Sequence, residues 1–108
     1  MSTSLNARIE IPTVKIAAFC QRNRIRRLAL FGSVLRDDFA PDSDVDVLVE
    51  FEPDARVGLA FITIGEELSE ILGRQVDLHT FRGIESNRNW LLRAEILGSA
   101  EAVYDQTG

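Results

Sequence analysis

The spacing of apolar residues changes period several times along this chain, and each change marks an element. Within residues 14–23, Val14, Ala17, Ala18 and Phe19 recur at helical spacing, behind a Pro12 suited to a first helical turn. Residues 28–31 are apolar on both faces, the pattern of a central strand covered on both sides. Residues 44–51 alternate: Val45, Val47, Val49 and Phe51 make one face, and Asp44, Asp46, Leu48 and Glu50 the other. Residues 58–72 carry Phe61, Ile64, Leu68, Ile71 and Leu72 in one stripe, with Glu66, Glu67 and Glu70 off it and Gly73 as a stop. Residues 75–81 alternate again, with Asp77, His79 and Phe81 opposite Val76, Leu78 and Thr80. A last helix is predicted over 86–97, capped by Ser86 and stopped by Gly98, with Trp90, Leu91, Ala94 and Leu97 facing the core. Residues 102–104 form a short closing strand.

This order predicts one domain over residues 1–108, with residues 1–10 polar and flexible. The fold class is α+β: a small mixed β-sheet flanked by helices. A helical crossover between the second and third strands predicts a parallel pair there. The relative direction of the first two strands stays open.

Composition narrows the classes. With 45% hydrophobic and 27% charged residues the chain reads as an ordinary globular domain. A net charge of −5 argues against general nucleic-acid binding. The single cysteine, Cys20, allows neither an intrachain disulfide nor a cysteine-based zinc cluster, and its apolar helix places it in the core. The N-terminus lacks an apolar signal core, and no run is long enough for a membrane span, so a cytoplasmic protein is expected.

The chemistry gathers where the first strand ends. Gly32-Ser33 follows it, ten residues intervene, and Asp44 and Asp46 open the next strand on one face. Two carboxylates side by side repel unless a cation or proton intervenes, and hard oxygen donors suit Mg2+. Gly32 lets the backbone approach a phosphate, and Ser33 adds a hydroxyl. Asp77, opening the third strand, is the candidate third carboxylate. A lone histidine near a strand end, His79, reads first as structural; contact with a nucleotide or proton transfer is the alternative. The basic run Arg22, Arg24, Arg26, Arg27 reads as solvated cations at a helix C-terminus, with phosphate or an acidic partner as the alternative. Trp90 reads as a core or interface anchor, and Tyr104 as a conceivable self-modification target that its surroundings do not single out.

The stretch GSVLRDDFAPDSDVDVLVE closely resembles the GS-x10-D-x-D signature of the DNA polymerase β-like nucleotidyltransferase superfamily. The short S-D-x-D-x-L-V form is similar to that of the minimal nucleotidyltransferases, and the likeness runs over residues 27–104. It implies a polymerase β palm-like fold and transfer of AMP from ATP to a hydroxyl, with two Mg2+ ions and release of pyrophosphate. By position, Gly32 and Ser33 would bind the triphosphate, with lesser parts for Arg36 and Ser43. Asp44 and Asp46 would hold both metals, and Asp77 would hold the catalytic one and help activate the nucleophile. Proteins similar to this one are paired with a helical HEPN toxin, whose tyrosine the antitoxin modifies with AMP and with which it assembles.

The chain departs from the common G-S-x-A-R-G form: Leu35 stands for the alanine and Asp37 for the second glycine, while Arg36 is kept. Extra acids near the loop oppose a triphosphate, and an ion pair of Arg36 with Asp37, Asp38 or Asp42 competes with a phosphate role. Two alternatives stay open. One is transfer to a small-molecule hydroxyl. The other is an antitoxin that neutralises its partner by binding alone.

Overall fold

A computed structural model describes residues 9–36, 40 and 42–106; the expectation for the first ten residues falls mostly outside that range, as do Asp37 and Asp38. The chain runs α1 (Thr13–Arg22), β1 (Ile25–Phe31), a 3-10 turn (Gly32–Leu35), β2 (Val45–Phe51), α2 (Ala60–Leu72), β3 (Val76–Thr80), α3 (Phe81–Glu85), α4 (Trp90–Ser99) and β4 (Glu101–Asp105). The four strands form one sheet in the order β3-β2-β1-β4. β1 pairs antiparallel with β2 and with β4, while β2 and β3 are parallel. The sheet is therefore mixed, and the antiparallel β1–β2 pair settles the direction that the pattern left open.

Alternation along the strands builds a core on each side. On one, Leu28, Leu30, Val45, Val47 and Val49 meet Ile16, Phe19 and Cys20 of α1 and Ile64 and Leu68 of α2. Each large side chain buried there contributes roughly 1.5–3 kcal/mol. On the other, Ala29, Phe31 and Leu48 meet Ile84 of α3, with Phe81, Ile96 and Leu97 packed against them. The expected stripe of α2 is the buried one, and Gly73 caps that helix in the left-handed conformation at φ +68°. No helix among the described residues is long and apolar enough to cross a membrane.

Several boundaries differ from the pattern, each for a local reason. The helix expected over 86–97 starts later, at Trp90, and a separate short helix, α3, precedes it from Phe81, where the third strand was expected to end. Thr80 caps α3, its Oγ1 accepting the Gly83 N–H at 2.9 Å, and Ser86 ends that helix rather than starting one. Asn89 caps α4, its Oδ1 accepting the N–H groups of Leu91 and Leu92 at 3.1 Å. Gly98 lies inside α4, which runs on to Ser99, whose hydroxyl donates to the Glu95 carbonyl. The restart at Asn89 turns Trp90 and Leu91 outward, 63% and 62% exposed, so neither is core; Ala94 is exposed as well, and Leu97 packs inward as expected.

The basic run does not sit together at a helix end. Arg22 in the last turn of α1 pairs with Glu67. Arg24 turns the chain at φ +58° and donates to Asp54 at 2.6 Å and Glu52 at 3.1 Å. Arg26 and Arg27 belong to β1, where Arg27 donates to Glu50 at 2.5 Å and lies over the Phe81 ring at 4.2 Å. Arg22, Arg24 and Arg27 are thus each held in an ion pair with an acid distant in sequence.

Candidate active site

The end of β1 brings the chemistry together. Across the sheet Phe31 stands opposite Asp46, and Asp46 opposite Asp77. Strand alternation puts Phe31 and Asp46 on the sheet face covered by α3 and α4, in the row that Leu48 continues. The turn after Phe31 is tight. Gly32 takes φ +78°, and a β-carbon built on it would lie 2.5 Å from Oδ2 of Asp46. Only glycine lets the loop backbone lie this close to the carboxylate. Val34 is fully buried and pins the 3-10 turn, which the Arg36 N–H closes onto the Ser33 carbonyl at 2.9 Å.

A cavity of about 530 Å3 opens above the turn, a volume in the range of small-ligand sites. Gly32, Ser33, Arg36 and Asp46 line one side, and Leu92, Glu95, Ile96 and Ser99 of α4, with Glu101, line the other. The α4 residues recur at helical spacing on one face, a signal hidden in the sequence by the misplaced start of that helix. Ser43 is not among the lining residues. Its hydroxyl accepts the Ala40 N–H at 3.2 Å, and its own N–H donates to the Ala40 carbonyl, so it closes the loop ahead of Asp44.

Asp46, Asp77 and His79 converge: one ligand atom from each lies within 4.8 Å of the others. Nε2 of His79 is 3.2 Å from Oδ2 of Asp77, and its ring meets Phe31 edge-on at a centroid distance of 5.5 Å. His79, read first as structural, thus stands beside the carboxylates. Asp44 precedes β2, is exposed, and lies outside this group of three. Burial raises the pKa of the Asp46 carboxyl above its ordinary value; the negative charges of Asp77 and Asp44 add to this, and His79 and Arg36 oppose it. A half-buried Asp46 repelled by the exposed Asp77 and Asp44 is a donor set that a divalent cation would relieve, so the residues fit a metal.

A mixed sheet with a Gly-Ser turn laid against paired strand carboxylates defines a nucleotidyl-transfer fold. The family model for the nucleotidyltransferase domain matches residues 15–103. The chain belongs to that family, as a minimal nucleotidyltransferase of the DNA polymerase β-like superfamily. Protein MJ0435 of Methanocaldococcus jannaschii, provisionally named a protein adenylyltransferase, is 34% identical over 86 residues, 80% of this chain and 87% of that one. A crystal structure of a toxin–antitoxin with AMP-PNP shares the fold at a TM-score of 0.67 and 22% identity, over 88% of this chain and 74% of that one. So does a complex of a tri-AMPylated HEPN toxin of Shewanella oneidensis with an MNT antitoxin, at a TM-score of 0.59 and 22% identity, over 88% and 71%.

Proposed function

We propose that this nucleotidyltransferase moves AMP from ATP to a protein hydroxyl, a tyrosine of a HEPN toxin, and so acts as that toxin's antitoxin in the cytoplasm. One observation carries the chemical part: Gly32-Ser33 and Asp46 line the same cavity, with the Gly32 backbone against the carboxylate and Asp77 in register beside it. The acceptor and the antitoxin role rest on the relatives, one of them provisionally named a protein adenylyltransferase and another an MNT antitoxin bound to a tri-AMPylated HEPN toxin.

In this reading the backbone and hydroxyl of Ser33, with Arg36, hold the triphosphate, and the missing side chain of Gly32 lets the turn lie against Asp46. Asp44, Asp46 and Asp77 would hold two Mg2+ ions, the exposed Asp44 by turning inward, and the ions would supply charge to neutralise the phosphates and the departing pyrophosphate. The acceptor oxygen attacks the α-phosphorus, the bond to the β-phosphate oxygen breaks, and pyrophosphate leaves. Asp77, more exposed than Asp46, takes up the hydroxyl proton on the open side of the site. Ser43 acts from outside the cavity by holding the loop that presents Asp44.

Incubation with α-labelled ATP, Mg2+ and a candidate HEPN toxin, sought as the product of the neighbouring gene, tests the proposal. Wild type should label the toxin, and the double variant Asp44→Asn/Asp46→Asn should not. Equal labelling by both would end the catalytic assignment. Full neutralisation of the toxin in cells by the double variant would favour neutralisation by binding, and label on a small alcohol alone would favour a small-molecule acceptor.

A further inference from the structure

We infer that His79 is a third protein ligand, beside Asp46 and Asp77, to one divalent cation, and that its nitrogen turns this site toward Mn2+ relative to Mg2+. The inference rests on the metal-dependent reading above and assigns the histidine a part in it. The chain's only histidine sits two residues beyond Asp77 on β3, so both side chains leave the same face of the strand. The parallel register sets Asp77 beside Asp46 and His79 beside Leu48. Leu48 is fully buried, so the floor beneath the imidazole is apolar and fixed. The edge-on contact with the buried Phe31 ring orients the imidazole across the strand end.

The separations suit ligation. Two donors on adjacent vertices of an octahedron, each about 2.1 Å from the ion, lie about 3 Å apart. Nε2 of His79 and Oδ2 of Asp77 are 3.2 Å apart. Opposite vertices lie about 4.2 Å apart on the same geometry, and all three ligand atoms fall within 4.8 Å of one another. A cation can therefore touch both carboxylates and the imidazole with small side-chain adjustments. Mg2+ is a hard ion that favours oxygen and gives up water reluctantly. Imidazole suits Zn2+, Cu2+, Fe2+ and Ni2+ and carboxylates suit Mg2+ and Mn2+; of those last two, Mn2+ is the first-row transition ion and so the one to gain from an added nitrogen donor. A site with one nitrogen donor still takes Mg2+ when Mg2+ is in large excess.

Pulsed EPR on the full chain loaded with MnCl2 alone reads the contact directly. The bound ion should show nitrogen modulation from one imidazole, and its pattern should change when the chain carries 15N-histidine. His79→Gln and His79→Ala should lose the modulation. They should also weaken Mn2+ binding by about tenfold or more, with a far smaller loss for Mg2+ measured by competition. Bound Mn2+ without nitrogen modulation in wild type would overturn the inference, and so would an unchanged Mn2+-to-Mg2+ affinity ratio in the variants. The wild-type spectrum decides even if a variant fails to fold. A wild type that binds Mn2+ through His79 yet labels no toxin would leave this inference standing and end the adenylyltransfer reading. A wild type that binds no Mn2+ would end this inference and the metal-dependent reading together.

Discussion

Gly32 and Asp46 are in contact by way of a missing side chain: a β-carbon at Gly32 would sit 2.5 Å from Oδ2 of Asp46. The turn and the carboxylate form one unit, made by β1 ending where β2 begins, with Phe31 opposite Asp46. Gly32→Ala should push Asp46 out of place and strain a backbone at φ +78°. The strain costs about 1–2 kcal/mol, which thermal unfolding would detect. Activity should fall on the order of a hundredfold, since small misplacements of reacting groups cost that much. Near-wild-type AMP transfer would show that the close approach is dispensable.

Asp46 carries a stability signature of its own. Its folded pKa is raised above 3.8, mainly by burial and then by Asp77. A raised carboxyl favours the folded state below its unfolded pKa, and that contribution is lost as pH rises through the folded value. At neutral pH without metal, ionised Asp46 therefore opposes folding. Asp46→Asn should unfold at a higher temperature than wild type in EDTA at pH 7, with the gap closing as pH falls toward 4. Added Mg2+ should raise the melting temperature of wild type and leave the variant unchanged. A variant less stable than wild type in EDTA at neutral pH would contradict this.

The α4 cap links stability to the cavity. Asn89→Ala removes the acceptor for two N–H groups and should cost about 1 kcal/mol in denaturant unfolding. Because Leu92, Glu95, Ile96 and Ser99 line the cavity from this helix, ATP binding should weaken as well. Loss of stability with unchanged ATP affinity would mean that α4 does not shape the nucleotide site.

Gly65, in mid-helix, invites the opposite change. A β-carbon there would meet Leu78 at 3.8 Å, an ordinary van der Waals contact. Gly65→Ala should therefore stabilise the fold by up to about 1 kcal/mol, the difference in helix propensity. Destabilisation would reveal closer packing between α2 and β3 than that distance implies.

Cys20 serves as an internal probe of opening. Burial pushes its thiol from 9.0 up to about 12. Raised in the folded state, it begins to oppose folding only as pH climbs past 9. At pH 8 the native thiol should resist a thiol-specific reagent and react only through unfolding, because the thiolate is the reactive form. Prompt reaction would mean that the α1 side of the core opens locally.

Much of this was legible in the chain. Alternation sets Asp44 and Asp46 on one face of the second strand and Asp77 and His79 on one face of the third, because side chains two apart share a face; the register that brings Asp46 beside Asp77 is tertiary. The α2 stripe and its Gly73 stop followed from the helical period. His79 and α4 were harder. A histidine's meaning depends on what the next strand sets beside it. The helix start was misread because Ser86 and Asn89 are both good caps, and the choice lay with Thr80, whose hydroxyl starts an earlier helix.

By itself, then, the sequence determined most of the elements though not α3, the two faces of the second and third strands, and the order Gly32-Ser33, Asp44, Asp46, Asp77. Those follow from local sterics and hydrophobic period, which act within a few residues. The tertiary structure alone decided that β1 runs antiparallel to β2, that the Gly32 turn closes onto Asp46, and that His79 joins the two carboxylates while Asp44 stays outside. Strand register and helix docking settle such matters, and both depend on long-range packing of two cores across one sheet.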